Sequence, residues 1–197
     1  GSVKFNKLVK EIFVLVCALN VDLKLFYVPS KDNTADAPSR SLTNQDAKLG
    51  MCLWQQIEVR FGPHTVDMMA LDSNAMCGKD GTVLPHFTPY PLPGSAGVNV
   101  FCQELTSSEN YYVFPPFVMI PNVIGFLREF KGCDVSCTMV VRKTHPAPSW
   151  WPVLSSLAVE RLFLAEAGEE DVISLPTKKG WQPRRLGYDL YAFRLFL

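Results

Sequence analysis

The stretch that most constrains the fold is "VSCTMVV", residues 135–141, a nearly continuous run of apolar and β-branched residues. Such a run is typical of a central strand that helices cover on both faces, and strands of this kind belong to mostly parallel sheets. Other strand patterns alternate with helical patterns, and an apparent hairpin ends the chain. We therefore predict an α/β fold, a mostly parallel sheet with helices on both faces.

Apolar spacing sets the predicted limits of the elements. Helical spacing predicts helices at 4–19, 46–61 and 120–130, and a short helix after the proline-rich loop that precedes Trp150. Strand patterns are predicted at 21–29, 65–70, 98–101, 111–114, 135–141, 159–165, 171–176 and 188–197. Residues 79–97 are rich in proline and glycine, so we predict a long irregular segment there.

Composition excludes several classes of protein. Hydrophobic residues make up 48% of the chain, which excludes disorder. The 19 basic residues balance the 19 acidic ones, so a nucleic-acid surface has to be a local patch. The longest apolar run, Ile12 to Leu19, is too short to cross a bilayer and lacks a secretory cleavage site. We expect an intracellular protein of the nucleus or cytoplasm, with no membrane partner.

Cysteine and histidine spacing predicts neither a metal site nor a hydrolase. The six cysteines have no repeated spacing and are expected to be small buried thiols. Cys133 and Cys137 form a C-x3-C pair, but no second ligand pair stands at zinc spacing. His64, His86 and His145 each lie beside a proline, in predicted loops, and no nucleophile motif accompanies them.

The segment "LKLFYVPSKDNTADAPSR", residues 23–40, resembles the end of the RNase H domain of retroelement polymerases. The matching positions are Val28, Pro29, Lys31, Asn33, Ala35, Asp36, Ser39 and Arg40. In that family the aspartate matching Asp36 is the last carboxylate around a pair of divalent metal ions. The other carboxylates would lie upstream of residue 1. The resemblance thus implies an incomplete site, with divalent metal only in an intact RNase H domain.

Most of residues 50–155 resembles the region that follows RNase H in the tyrosine-recombinase (DIRS-like) retrotransposons. The residues that carry this resemblance are Trp54, Phe61, Val66, Asp67, Ala70, Asn74, Ala75, Pro115, Pro116, Phe117, Trp150, Trp151 and Pro152. That region is in turn similar to the phage-type Dam family of adenine methyltransferases. The resemblances imply two parts. The first is a helix-strand remnant of an RNase H-like domain at 1–43, and the second is a Dam-methyltransferase-like domain at 44–197 with a Rossmann-like sheet.

In the Dam-like family a strand ends in an Asp/Asn-Pro-Pro-aromatic turn, which "FPPF" matches at Phe114, Pro115, Pro116 and Phe117. Two prolines make such a turn rigid, and the resemblance implies that the last aromatic stacks on a flipped base. The alternative is a stiff strand-end turn that only packs. Phe114 replaces the Asp or Asn that accepts a hydrogen bond from the target amine. Loss of such a group typically costs ~3 kcal/mol, about a hundredfold in rate.

The donor side of the resemblance is also altered. "DMMALDSNA" matches the element that precedes the cofactor, so Asp67, Asp72 and Asn74 are the implied residues for binding S-adenosylmethionine. However, the first glycine after this strand comes only at Gly78, where a glycine-rich turn would normally approach the cofactor. We therefore expect no bound cofactor, and S-adenosylmethionine stays as the alternative.

A basic segment near the carboxyl terminus is the candidate for nucleic-acid binding. "TKKGWQPRR" contains Lys178, Lys179, Trp181, Arg184 and Arg185. Cations for phosphates and an aromatic platform for bases are what binding of a single strand requires. The alternative is a solvated hairpin turn with Trp181 packed on the sheet.

The adjacent tryptophans Trp150 and Trp151 also have two interpretations. They either line a base pocket near Phe117, or one of them is buried and the other lies at the surface.

Together, these patterns predict a retrotransposon-derived module associated with reverse transcriptase and RNase H, with a degenerate methyltransferase-like fold and no catalysis. Its expected partners are DNA or RNA, the remaining reverse transcriptase and RNase H segments, and a second copy bound through the apolar N-terminal helix. An active adenine methyltransferase is one alternative. A domesticated host domain that binds another protein is the other.

Overall fold

The computed structural model describes residues 3–19, 24 and 46–197, and the chain divides into two compact units, Gly1–Ser41 and Leu42–Leu197. In the first unit, helix α1 spans Val3–Ala18, as its apolar spacing predicts. Its side chains at Phe13 and Leu15 are exposed. Apart from Lys24, the predicted strand at 21–29 and the loop that carries Asp36 lie outside the described residues.

A seven-stranded sheet forms the centre of the second unit, in the order β4-β3-β2-β5-β6-β10-β7. The strands from β4 to β6 are parallel, while β10 runs antiparallel to both β6 and β7. This confirms the predicted Rossmann-like α/β sheet. The strands are β2 Val66–Asp67, β3 His86–Thr88, β4 Ser95–Val98, β5 Asn110–Val113, β6 Ser136–Lys143, β7 Ala158–Ala165 and β10 Asp189–Phe196.

Helices cover both faces of this sheet, and β6, an interior strand between β5 and β10, is apolar on both sides. Cys137, Met139 and Val141 face one core cluster, and Val140 faces the other. Successive strand residues point to opposite faces, which explains this division. The first cluster contains α3 (Ile120–Arg128) and α4 (Trp151–Leu157), and the second contains α2 (Met51–Phe61).

A smaller antiparallel sheet covers part of the α2 face. It consists of β1 (Lys48–Leu49), β8 (Ile173–Thr177) and β9 (Gly180–Arg184), in the order β1-β8-β9. Leu49 and Ile173 are buried in the same cluster as the buried residues of α2. The sequence predicts a helix over 46–61, but residues 48–49 pair with β8 instead. Strand pairing in the folded domain overrides the local helical pattern there.

The irregular segment predicted at 79–97 is wrong in part, because it contains β3 and most of β4. These strands have only three and four residues and lie among prolines and glycines, so local patterning does not reveal them. The predicted strand at 98–101 is wrong beyond Val98. There the chain forms a 3-10 helix, Val100–Cys102, that Asn99 caps by accepting a hydrogen bond from the backbone N–H of Phe101.

Several burial predictions are also wrong. Trp150 and Trp151 are both buried in the α3–α4 cluster and do not split between core and surface. His86 lies in β3 and is buried. Conversely, Cys137 is the only fully buried cysteine in the described part of the chain. The others lie outside the two core clusters, so their apolar sequence neighbours do not place them in the interior.

Among the described helices, none has the length and hydropathy needed to cross a membrane.

Candidate functional site

The sheet order directs attention to the carboxyl ends of β2 and β5. From β2 the chain continues to β3 and β4 on one side of the sheet, whereas β5 is followed by β6 on the other side. Adjacent parallel strands whose connections leave in opposite directions open a crevice, and this is where α/β proteins of this class bind their ligands. Asp67 ends β2, and the "FPPF" segment follows β5.

Asp67, predicted to bind the cofactor, is buried and its carboxylate is occupied by the protein itself. Its Oδ1 atom accepts a hydrogen bond of 3.3 Å from the backbone N–H of Met69, and its Oδ2 atom accepts one of 3.2 Å from Met76. Burial raises the pKa of Asp67 to about 6, although the two backbone donors oppose the shift. The carboxylate therefore holds together both ends of the loop that follows β2.

Asp72 and Asn74, the other predicted cofactor ligands, also bind neighbouring parts of the chain. Asp72 Oδ1 lies 2.9 Å from His86 Nε2, and its Oδ2 accepts from the backbone N–H of Gly94 at 3.1 Å. The hydrogen bond with His86 is the main reason that the pKa of Asp72 is lowered. Asn74 accepts from the backbone N–H of Leu71 at 2.7 Å and donates to the carbonyl of Ala47.

The crevice itself is almost completely filled. Only about 10 Å³ of free space is left at this point, room for about one water molecule. Side chains from three parts of the chain close it: the segment before α2, the loop after β2, and the end of β5. The residues that line it are Ala47, Leu49, Asp67, Met69, Ala70, Asn74, Met76, Tyr112 and Phe114.

Phe114 separates this filled crevice from a larger cleft. Its ring packs against the α2 core cluster, and it lines both spaces. Pro116 has an extended backbone, with φ −49° and ψ 139°, and it precedes a 3-10 helix, Phe117–Met119, that continues into α3. The two prolines thus direct the chain from the end of β5 across the second space.

The second space is an open cleft of about 350 Å³. It lies between the carboxyl ends of β5 and β6 on one side and the β8–β9 hairpin on the other. Its wall is mainly apolar and aromatic, with several arginines. The residues are Ala47, Phe114, Pro115, Phe117, Val118, Ile120, Val141, Arg142, Ile173, Leu175, Arg184, Arg185 and Tyr188.

Arg142, which belongs to β6, is the cation that the seven-stranded sheet itself contributes to this cleft. Its guanidinium carbon lies 2.9 Å from the centroid of the Phe117 ring and 5.2 Å from that of Tyr188. Burial lowers the pKa of Arg142, and the neighbouring Tyr188 partly opposes the shift. The same burial raises the pKa of Tyr188. One face of Phe117, the aromatic predicted to stack on a base, is therefore already covered by a cation.

The structure divides the predicted nucleic-acid residues between two places. Arg184 and Arg185 line the cleft, whereas Lys178 and Lys179 are exposed in the turn that joins β8 to β9. Trp181 pairs with Pro176, and Arg184 pairs with Ile173. Because side chains alternate along a strand, Trp181 and Arg184 point to opposite faces of the hairpin. Trp181 therefore does not share the cleft with the arginines.

A buried polar network links β6 to the end of α2. His64 Nδ1 contacts the carboxylate of Glu58, and His64 Nε2 lies 2.8 Å from Thr138 Oγ1. Arg194 donates to Thr138 Oγ1 at 3.1 Å and to Asn110 Oδ1 at 2.6 Å. Burial lowers the pKa of His64 despite the carboxylate. The Thr-His-Glu order resembles a nucleophile relay, but all three residues are buried, so no substrate reaches the hydroxyl.

Arg142 and Tyr188 are the cleft residues that the sequence reasoning does not identify. Arg142 is the first charged residue after the apolar run of β6, and such a position at the carboxyl end of a central strand is a usable signal for a ligand site. Within the described ranges, no group of three or more His, Cys, Asp or Glu residues could hold a metal ion. Comparison of the chain with protein-family models and with curated proteins finds no match.

Proposed function

We propose that this chain is a non-catalytic nucleic-acid-binding module, derived from a DIRS-like retrotransposon polyprotein and built on a degenerate adenine-methyltransferase-like fold. Asp36 and the RNase H resemblance belong to this proposal as the remnant of the preceding domain. In this role the sheet serves as a rigid support, and the chemistry of the ancestral enzyme is lost.

The observation that carries the proposal is the filled crevice at the ends of β2 and β5. A cofactor the size of S-adenosylmethionine needs a pocket of several hundred Å³, typically about 300 to 1,000 Å³. About 10 Å³ is free here, and both oxygens of Asp67 accept backbone hydrogen bonds from its own loop. Phe114 adds a second defect, since a phenyl ring accepts no hydrogen bond from an amine.

The nucleic-acid part of the proposal is supported by the charges around the second cleft. Arg142, Arg184 and Arg185 line it, and Lys178 and Lys179 extend the positive charge to the tip of the hairpin. The chain as a whole has a formal net charge of zero, so this local concentration is not a by-product of a basic composition. Local cations of this kind contact backbone phosphates.

An active methyltransferase remains the second candidate because the sheet order and its switch point are those of a ligand-binding doubly wound fold. Titration calorimetry with S-adenosylmethionine, followed by label transfer to DNA or RNA, separates the two candidates. We expect neither heat of binding nor transferred label. Micromolar binding with label transfer would overturn the proposal in favour of the enzyme.

Binding to a fluorescent single strand at low salt tests the proposed module. We expect the wild-type chain to bind, and the combined change of Lys178, Lys179, Arg184 and Arg185 to glutamate to abolish binding. A control variant, with two charge reversals against four, changes Arg128 and Lys131 to glutamate, since both are exposed and lie outside the cleft. A wild-type chain that binds no strand would support the third alternative, a domain that binds only another protein.

A further inference from the structure

Among the residues that line the cleft, the arginines have no acidic neighbour. The salt bridges among the described residues involve other groups: Arg60 with Glu160, and the three histidines with Glu58, Asp72 and Asp189. None of these pairs, in the part of the chain that the structure describes, involves Arg142, Arg184 or Arg185. Arg185 Nε donates instead to the backbone carbonyl of Gly168 at 3.0 Å. Because the described lining holds three arginines and no acidic side chain, the wall of the cleft carries a net positive charge.

One hydrogen-bond donor of Arg142 is buried without an acceptor. Its Nε atom is buried and has no hydrogen-bond partner. Buried polar atoms without partners are rare in folded proteins, and each one calls for an explanation such as a bound ion or ligand. The guanidinium is planar and donates two parallel hydrogen bonds, a geometry that fits the oxygens of a phosphate or a carboxylate.

The position of Arg142 also excludes one class of ligand contact. With its guanidinium carbon 2.9 Å from the centroid of Phe117, it occupies the ring face on which a base would stack. The ring instead supports the cation and limits its movement. The polar end of a ligand in this cleft is therefore an anion, and its remaining atoms contact the apolar wall formed by Phe114, Val118 and Leu175.

Size and charge narrow the anion to a phosphate monoester. A volume of about 350 Å³ is at the lower end of small-molecule sites, which suits a single nucleotide. A monoester carries about −1.5 to −2 charges at pH 7, compared with about −1 for a phosphodiester within a strand. A lining with three arginines and no acidic side chain matches the charge of a monoester better than that of a diester.

We propose that this cleft binds a phosphate monoester, contacted by Arg142, Arg184 and Arg185. The proposal rests on the proposed nucleic-acid function and specifies it, because the terminal phosphate of a single strand is the expected source. A free nucleotide offers the same group and is the other source. Inorganic phosphate tests the anion site alone.

The experiment compares ligands that differ only in the terminal phosphate. Oligothymidylates with a 5′-phosphate, a 3′-phosphate or neither are titrated into the full chain, in parallel with thymidine monophosphate and inorganic phosphate. We expect at least one phosphorylated strand to bind about tenfold or more tightly than the unphosphorylated one, the size of effect that a charged hydrogen bond gives.

Single variants test whether the difference in affinity between phosphorylated and unphosphorylated strands depends on the cleft. Arg184→Gln and Arg142→Gln should each reduce the preference for the phosphorylated strand, whereas Arg128→Gln, an exposed arginine on α3, should leave it unchanged. Arg184 is exposed, so Arg184→Gln keeps the test valid even if Arg142→Gln unfolds the domain, which thermal unfolding followed by circular dichroism would reveal.

The outcomes separate the two proposals. If phosphorylated and unphosphorylated strands bind equally well, the phosphate site is overturned and the strand-binding function stands. If the monophosphate binds but no strand does, the phosphate site stands and the proposed function is overturned. If nothing binds, both are overturned.

Discussion

The Oδ2 atom of Asp67 accepts a hydrogen bond of 3.2 Å from the backbone N–H of Met76, nine positions further along the chain. This bond draws the loop after β2 back against the end of its own strand. Met69 and Met76 then line the point where a cofactor would enter. The carboxylate that the methyltransferase resemblance assigns to ligand binding thus helps to close the site.

The first prediction concerns restoration of the missing acceptor. Changing Phe114 to Asn introduces the amide that Dam-like methyltransferases have in the matching turn, but we expect no binding of S-adenosylmethionine, because Met69, Met76 and Leu49 still fill the crevice. Titration calorimetry on the folded variant measures this. Adding Met76→Ala should open space and is the matched comparison. Binding by Phe114→Asn alone would mean that the phenyl ring, and not the loop, closes the site.

The second prediction concerns pH. The folded-state pKa of Asp67 is raised to about 6 from 3.8, so the folded state holds a proton more tightly than the unfolded state. Its contribution to stability is therefore fully present below about pH 4 and is lost as the pH rises through 6. The loss amounts to about 3 kcal/mol. Asn does not titrate, so Asp67→Asn should lack this dependence.

Urea unfolding from pH 4 to 8 tests this. Contributions from the other titrating groups cancel in the difference in free energy of unfolding between wild type and Asp67→Asn. From pH 4 to pH 6 we expect the wild type to lose stability relative to Asp67→Asn. A difference that is constant over this range would show that the carboxyl group titrates normally.

The sequence predicts the sheet, whereas two residues that line the cleft, Arg142 and Tyr188, are not identified from it, and the two results have separate physical reasons. β6 is apolar on both faces, and this pattern alone requires two covering layers. Residues 46–50 show the opposite case. Their helical spacing is real, but pairing of Leu49 with Ile173 requires a strand whose partner is more than a hundred residues away, and no local pattern contains that information.

The same limit applies to the cleft. Arg184 is found from sequence because it belongs to a basic cluster, whereas Arg142 and Tyr188 are isolated residues in unrelated segments. They meet because β6 ends beside the segment that leads into β10. The position of Trp181 outside the cleft does follow from strand alternation. It lies three positions before Arg184, and residues an odd number of positions apart on a strand point to opposite faces.

The third prediction concerns the buried network around His64. Burial lowers the pKa of His64, which favours the neutral ring. In the neutral tautomer that satisfies both contacts, Nδ1–H donates to Glu58 and Nε2 accepts from the Thr138 hydroxyl. Thr138→Val removes that donor and the acceptor used by Arg194, and we expect a loss of about 1 to 3 kcal/mol in the free energy of unfolding. Thr138→Ser keeps the hydroxyl and serves as control. Urea unfolding that gives equal losses for both variants would attribute the effect to packing.

The fourth prediction concerns two glycines at helix positions with opposite surroundings. A Cβ at Gly62, just after α2, would lie 2.5 Å from the carbonyl oxygen of Glu58 and 2.8 Å from its Oε2 atom, inside the buried network. Gly62→Ala must displace the carboxylate that contacts His64, so we expect a loss of about 1 to 3 kcal/mol.

Gly125 is the matched position, in the middle of α3, where an added Cβ meets nothing within 4 Å. There alanine removes backbone freedom from the unfolded chain without a clash, and we expect a gain of about 0.5 to 1 kcal/mol. Urea unfolding of both variants gives the two signs directly. If Gly62→Ala left the free energy of unfolding unchanged, the Glu58 side chain would have room to move. Close packing of its carboxylate against the end of α2 would then not be what holds the His64 network in place.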